Sequence, residues 1–506
     1  LACLLGIDNG LTVTKAVVFD ISGEMLAVSR KRVPQTIPKP RHVERDMAGL
    51  WRATAGTIRE ALAASGRPAS DIIAVAATAH GDGVYLLSRA GEPLGPGILS
   101  LDSRAADVVT AWQAGGVFPE ALRLSGQHPH ASAPSALLAW IRDHQPERFQ
   151  RIGHVLACKD WLRYCLCGEI GTDRTEASTS FTEFHSQQYH PEIPKLFGLG
   201  ELQTALPHIS HSARIVGRVI ERAARETGLL PGTPVAAGLH DVTASALGIG
   251  AHVEGTVGVV AGTYCINETL STVPRADSRW FCRNGVEAGK WNNMSISPAS
   301  ATNYDWFIDT LCRAEGDQVE RDGISVHARL QPEIERGLAA PSTLLYQPYL
   351  FGSPHGAGAS ASFIGLHGWH DRADMLAAVL EGIAFNHRTH VDALRDGFAV
   401  GSARLTGGIS RVPAVAQLFA DVLGMPVTVT RTEEAAAWGA ALCAGAAVGC
   451  FDRFDADPRE LADLETVYRP DPATRARRAD RYRVFQQVTE GLLPHWEAIE
   501  ALSGDR

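Results

Sequence analysis

Near the N-terminus one acid, two glycines, two threonines and a lysine share a short stretch, Gly6-Ile7-Asp8-Asn9-Gly10-Leu11-Thr12-Val13-Thr14-Lys15, flanked by the apolar residues Leu4-Leu5 and Ala16 to Phe19. Glycine lets a backbone turn come close to a phosphate, main-chain N–H groups and threonine hydroxyls donate to its oxygens, and Lys15 offsets its charge. An altered copy follows near the midpoint, Gly255-Thr256-Val257-Gly258-Val259-Val260-Ala261-Gly262-Thr263-Tyr264-Cys265-Ile266. One such hairpin alone is a turn between strands. Its recurrence points to two related half-molecules facing each other across a cleft, each lending a phosphate loop to one nucleotide.

A third group is Asp241, in Gly238-Leu239-His240-Asp241-Val242, between an expected strand end (Pro234 to Ala237) and an expected helix (Thr243 to Leu247). A carboxylate at a helix N-terminus is stabilised in its charged form, so it could accept the proton of an attacking hydroxyl. The same position also suits a plain helix cap. Cys165-x-Cys167 has no second pair and no histidines at ligand spacing, so it reads as buried and structural, with no metal.

The elements that must position these groups follow from pattern. Ser22-Gly23-Glu24 turns the chain into a strand from Met25 to Val33, and a helix behind Asp46 carries Leu50, Trp51, Thr54, Ile58 and Leu62 on one face before stopping at Gly66. The run Ile72 to Ala77 reads as a strand covered on both faces. The second half repeats this order in looser form, with strands at Thr256 to Val260, Cys265 to Thr269 and Met294 to Ser297. There follow a helix over Asp371 to Leu394, a strand at Arg404 to Thr406, and the helix Val412 to Leu423. The strand Val427 to Thr430 and the helix Ala435 to Ala446 complete it. The chain is therefore α/β with two ribonuclease H-like domains, 1–249 and 250–506. Residues beyond Pro470 read as a charged helical tail, a solvated cap.

Composition narrows the partners. The 506 residues exceed what one core usually supports. With 47 Lys+Arg against 56 Asp+Glu the net charge is -9 and no basic run suggests nucleic acid. No apolar stretch reaches membrane-spanning length, and nine scattered cysteines fit reduced thiols, so the expected location is the cytoplasm. The oligomeric expectation is a homodimer.

With these residues in place the chain resembles the FGGY carbohydrate kinases, a branch of the actin, hexokinase and heat-shock ATPase superfamily. The segment Ala361 to Leu366, with Asp374-Met375, Ala378-Val379-Leu380 and Glu381, is similar to the family's C-terminal signature. Ser132-Ala133-Pro134 through Trp140-Ile141 and Asp143-His144 resembles the N-terminal one, except that Leu137 stands where lysine is usual. Lys159-Asp160-Trp161-Leu162, Thr172-Asp173 and Thr406-Gly407-Gly408 extend the likeness over essentially the whole chain.

The resemblance implies ATP and Mg²⁺ as co-substrate and cofactor, with Asp8 holding the ion through water. Gly10, Thr12, Thr14 and Lys15 would line the first phosphate loop, Gly262 and Thr263 the second, and Asp241 would be the catalytic base. Gly407, Gly408 and Ser410 would pack against the nucleotide, and Glu434 to Gly439 would form the far wall of the adenine pocket. Sugar contacts are expected from Gly81, Asp82, Asp102, Arg104 and Asp241. Asp82 replaces a histidine found in xylulose-specific members, and Val242 an asparagine that often follows the base. The nearest likeness is to the L-xylulose (3-keto-L-gulonate) kinase branch. It implies phosphorylation of the terminal hydroxyl of a small ketose, first of all a xylulose (D or L), with a polyol such as erythritol or glycerol as the alternative acceptor. A conformational ATPase without sugar is the reading of another class, disfavoured by Asp241.

Overall fold

A computed structural model describes residues 2–322, 324–356 and 358–502. The chain divides into two compact units, each drawn from several segments. The first comprises Leu1–His252, Leu270–Asn293 and Thr432–Glu460, the second Val253–Thr269, Met294–Arg431 and Leu461–Arg506. The first break lies close to the expected boundary at Ile249. The partition is not a single cut, however, because the segments beginning at Leu270 and Thr432 return to the first unit.

The first unit is built on a sheet ordered Ile215–Arg218, Pro234–Ala236, Ile72–Ala79, Cys3–Asn9, Val13–Asp20, Met25–Arg32, with Leu239–His240 also pairing Ile72–Ala79. Its centre is apolar on both faces because both are covered. Leu5, Ile7, Ala16 and Val18 pack with Leu50, Trp51 and Ile58 of the helix Met47–Ser65, whereas Leu4, Val17 and Phe19 pack with Ala437, Trp438 and Ala441 of the helix Ala435–Ala447. The caps expected for the Met47–Ser65 helix are present: Asp46 accepts from the Ala48 and Gly49 N–H groups, and Gly66 closes the helix at φ 64°.

Register decides what this sheet presents. The strands Cys3–Asn9, Ile72–Ala79 and Leu239–His240 run parallel, pairing Asp8 with Thr78 and His240 with Ala79. The loops that leave their carboxyl ends therefore emerge together, the usual place for a ligand in an α/β sheet. Asp8, the 80–83 loop and Asp241 all lie there.

The second unit repeats the central arrangement. Thr256–Ala261 pairs antiparallel with Cys265–Ser271 and parallel with Ser402–Thr406, which in turn pairs with Val427–Thr430. The helix Arg372–Gly397 starts behind Asp371, whose carboxylate accepts from the Ala373 and Asp374 N–H groups. The C-terminal helix Pro472–Ala501 departs from the expected solvated cap. It buries Arg478, Tyr482, Phe485, Thr489 and Trp496, and Arg478 and Arg481 both pair with the buried carboxylate of Glu381. Among the described residues no two cysteines form a disulfide, and no helix is long and apolar enough to cross a membrane.

Two helices of the first unit, Asp241–Gly248 and Ala435–Ala447, cross through glycines. A Cβ on Gly439 would lie 2.0 Å from the Ala244 carbonyl oxygen, and one on Gly248 2.0 Å from that of Ala435. Gly439→Ala should therefore force the helices apart and cost about 2 kcal/mol, the scale of overpacking, despite alanine's better helix propensity. Gly491→Ala, on the exposed face of the C-terminal helix with no atom near its Cβ, should instead stabilise by about 0.5–1 kcal/mol. Urea denaturation of both variants checks the contrast.

Candidate active site

Asp241 opens the Asp241–Gly248 helix as its first residue, while the cap itself is His240, whose Nδ1 accepts from the Val242 N–H at 3.3 Å. The carboxylate also accepts from that N–H at 2.8 Å and retains 30 % side-chain exposure, so one face is open. Burial, and then the charge of Asp8, push its pKa up to about 7, against the pull of the Val242 and Gly81 N–H groups. A carboxylate poised near neutrality suits a general base.

The turn before Asp241 is held from below. Lys159 is fully buried, 2.6 Å from Asp160 and 3.0 Å from Asp173. Asp173 accepts from the Thr175 N–H and hydroxyl and from Ser212, and the Thr175 oxygen accepts from the His240 N–H at 2.9 Å. Burial opposes both charges, yet Asp160 and then Asp173 keep Lys159 raised, while Lys159 and then the hydrogen bonds from Ser212 and Thr175 keep Asp173 lowered. The Lys159-Asp160 and Thr172-Asp173 motifs thus act on the site by fixing the backbone that leads into Asp241.

On Cys3–Asn9, separated from Leu239–His240 by the strand Ile72–Ala79, Asp8 lies 3.5 Å from Lys15 and keeps 13 % side-chain exposure. Burial and Glu434 raise its pKa against the pull of Lys15, while Lys15 stays charged because Asp8 and Glu434 outweigh its own burial. Glu434 binds Lys15 at 2.8 Å and Arg30 at 2.5 Å from a left-handed backbone, φ 53°, unusual for a residue other than glycine. Gly10 is partly open and Thr12 exposed, as a phosphate loop needs. Thr14 is not: strand alternation turns it into the core, where its hydroxyl meets Thr54 at 3.2 Å.

Three further expectations are corrected. Asp102 and Arg104 have no exposed side-chain surface. Arg104 grips Asp102 through two nitrogens, binds Glu44 at 2.7 Å and lies over Trp140, so the pair braces a loop and offers nothing to a sugar. Gly439 sits at the helix crossing, buried, and lines no nucleotide surface.

The 80–83 loop does carry an open acid. Gly81 has to be glycine because a Cβ would strike the His240 ring at 1.7 Å, and Asp82 takes a left-handed backbone, φ 57°. Its partner is Arg283, which sequence reasoning missed. Arg283 is buried on the strand Phe281–Asn284 and donates to Asp82 at 3.0 Å and to Gln127 at 3.1 Å, with Nη1 3.4 Å from His240 Nε2. Burial pushes Asp82 up, but Arg283 and then His130 hold it well below the usual carboxylate range. The available signal was an arginine directly after the apolar run Trp280-Phe281-Cys282, a cation that had to find a buried acid.

In the second unit the second loop and the glycine pair adjoin. A Cβ on Gly407 would meet the Ala261 carbonyl at 2.2 Å, immediately before Gly262. A Cβ on Gly262 would come no closer than 3.8 Å to another residue, the Val260 side chain, and one on Gly408 would meet no described atom within 4 Å. Thr263 and Gly408 are exposed, which leaves backbone open to a ligand. Ser410 is buried, its hydroxyl donating to Gly407 O at 2.7 Å, so it shapes this turn.

Residues 3–248 match the N-terminal domain of the FGGY family of carbohydrate kinases, and residues 257–448 its C-terminal domain. The chain is 32 % identical to an L-xylulose/3-keto-L-gulonate kinase of Escherichia coli, covering 96 % of this chain and 97 % of the relative. It is 35 % identical to a probable L-xylulose kinase of Pasteurella multocida, covering 96 % and 98 %. The crystal structure of a xylulose kinase from Rhodospirillum rubrum superposes with a TM-score of 0.85 at 26 % identity, covering 98 % of this chain and all of that one. With both family domains matched in order, the chain belongs to the FGGY family of carbohydrate kinases.

Proposed function

We propose that this carbohydrate kinase transfers the γ-phosphoryl group of ATP to the terminal hydroxyl of a xylulose, with Asp241 as the base. The observation that carries the reading is the state of Asp241: a partly open carboxylate at a helix start, tuned to about 7, on the same sheet end as Asp8 and the 80–83 loop. The names of the two relatives support xylulose as the acceptor. The nine cysteines, scattered along the chain without a disulfide framework, support the cytoplasm as its compartment.

In the proposed step the sugar hydroxyl hydrogen-bonds to Asp241, its oxygen bonds to the γ-phosphorus as the bond to the β-phosphate oxygen breaks, and its proton passes to the carboxylate. Thr12 and Lys15 of the first unit, and Gly262 and Thr263 of the second, would donate to the phosphates, with Gly10, whose N–H closes the turn on Val13 O, lining the first loop and Gly407 and Gly408 against the nucleoside. Lys15 would carry its charge to the phosphates from its place between Asp8 and Glu434. Mg²⁺ would lie at Asp8. Among the described residues no group of three or more His, Cys, Asp or Glu forms a metal cage, which fits an ion taking most of its ligands from phosphate oxygens and water. When bound, such an ion neutralises charge on the transferring group.

The substrate is tested by a coupled ADP-release assay over D- and L-xylulose, ribulose, erythritol and glycerol. A xylulose should give the highest kcat/KM, and a polyol in first place would overturn the assignment.

The base is tested by pH. Only ionised Asp241 accepts a proton, so kcat/KM for the preferred sugar should rise with pH through an acid limb near 7 and then level off. Asp241→Asn should lower kcat by on the order of a hundredfold or more and abolish that limb. Retained turnover with the limb intact would assign the base elsewhere.

A further inference from the structure

Within the first unit, the base and the 80–83 loop are joined through one imidazole. His240 Nδ1 lies 3.2 Å from Asp241, and His240 Nε2 lies 3.4 Å from Arg283 Nη1. Arg283 is 3 % exposed in its side chain; it donates through Nε to Gln127 and through Nη2 to Asp82, with Nη1 turned toward the His240 ring. Asp82 is the more open member of the ion pair, 13 % exposed, with a second contact to His130 at 3.6 Å.

This arrangement fixes the charge that a bound substrate meets. The Arg283–Asp82 pair sums to zero, and Asp241 adds a negative charge beside it. Burial keeps His240 neutral by drawing its pKa down to about 4, with Arg283 reinforcing that effect. The other cations near the sheet end are committed elsewhere. Lys15 pairs with Asp8 and Glu434, Lys159 with Asp160 and Asp173, and buried Arg45 donates to Asn9 and to the Leu11 carbonyl. Sugar hydroxyls are well served by this environment, since they donate to a carboxylate and accept from the His130 edge. A carboxylate on the sugar would meet these committed cations and would sit against Asp82 and Asp241.

We infer that this site selects neutral ketoses and rejects their carboxylated analogues, because Asp82 holds the buried arginine that a sugar acid would otherwise use. The inference rests on the kinase reading above and sharpens it. The Escherichia coli relative carries both a neutral ketose and a keto acid in its name. The Asp82–Arg283 pair separates the two for the present chain by withholding its cation from the keto acid, which then faces Asp241 without a countercharge; this discriminates without adding any contact to the favoured sugar.

The test compares L-xylulose with 3-keto-L-gulonate as acceptors at one ionic strength, using the wild-type chain and Asp82→Asn. Wild type should favour the neutral sugar by about a hundredfold in kcat/KM, the scale of a like-charge clash. Asp82→Asn removes the countercharge of Arg283, leaving a net positive charge for the acid, and should shrink that preference by about tenfold or more. If the variant turns over neither sugar, the ratio of calorimetric dissociation constants reads the same change without catalysis. If it does not fold, the wild-type ratio decides alone. Wild type taking the acid as well as or better than the neutral sugar overturns the inference and leaves the kinase reading standing. An unchanged preference in folded Asp82→Asn also overturns it. No turnover of any ketose by wild type overturns the kinase reading on which it depends.

Discussion

Everything at this site depends on the balance of forces at one carboxylate. Burial and the like charge of Asp8 disfavour ionised Asp241, while the Val242 and Gly81 N–H groups favour it. The outcome is a group that ionises near neutrality and still accepts a proton readily. A deeper carboxylate would stay protonated and useless as a base, and a freely solvated one would be too weak.

Holding that balance takes rigid surroundings, and the fold supplies them from residues that touch no ligand. Lys159 and Asp173 fix Thr175, Thr175 fixes the His240 backbone, and His240 caps the helix whose first residue is Asp241. Gly81 brings the sugar loop against the His240 ring, and Gly439 and Gly248 let the Ala435–Ala447 helix lie against the Asp241–Gly248 helix. Close packing of this kind leaves the base little freedom to relax away from its costly environment.

Much of this was legible in the sequence. The Asp8 to Lys15 hairpin, its copy at Gly262-Thr263 and the helix after Asp241 are local patterns, set by turn glycines and apolar alternation, and they appear where expected. The resemblance carried the family. What escaped depends on contacts distant along the chain. Thr14 looked like part of a phosphate loop, but its hydroxyl faces Thr54 forty residues away. Asp102 and Arg104 looked like sugar contacts and proved to be partners of each other and of Glu44. Arg283, which governs Asp82, comes from a segment that belongs to the first unit only after the chain has left and returned. The polar tail helix conceals buried arginines because their acid, Glu381, lies on another helix.

The central claim is the raised pKa of Asp241 and its dependence on Asp8. Carbon-13 NMR titration of carboxyl-labelled aspartate, with Asp241→Asn identifying the resonance, reads it directly in the free enzyme. Asp241 should titrate near 7 in the wild type, and its midpoint should fall when Asp8→Asn removes the neighbouring charge. A midpoint in the ordinary carboxylate range, unmoved by Asp8→Asn, would contradict the account.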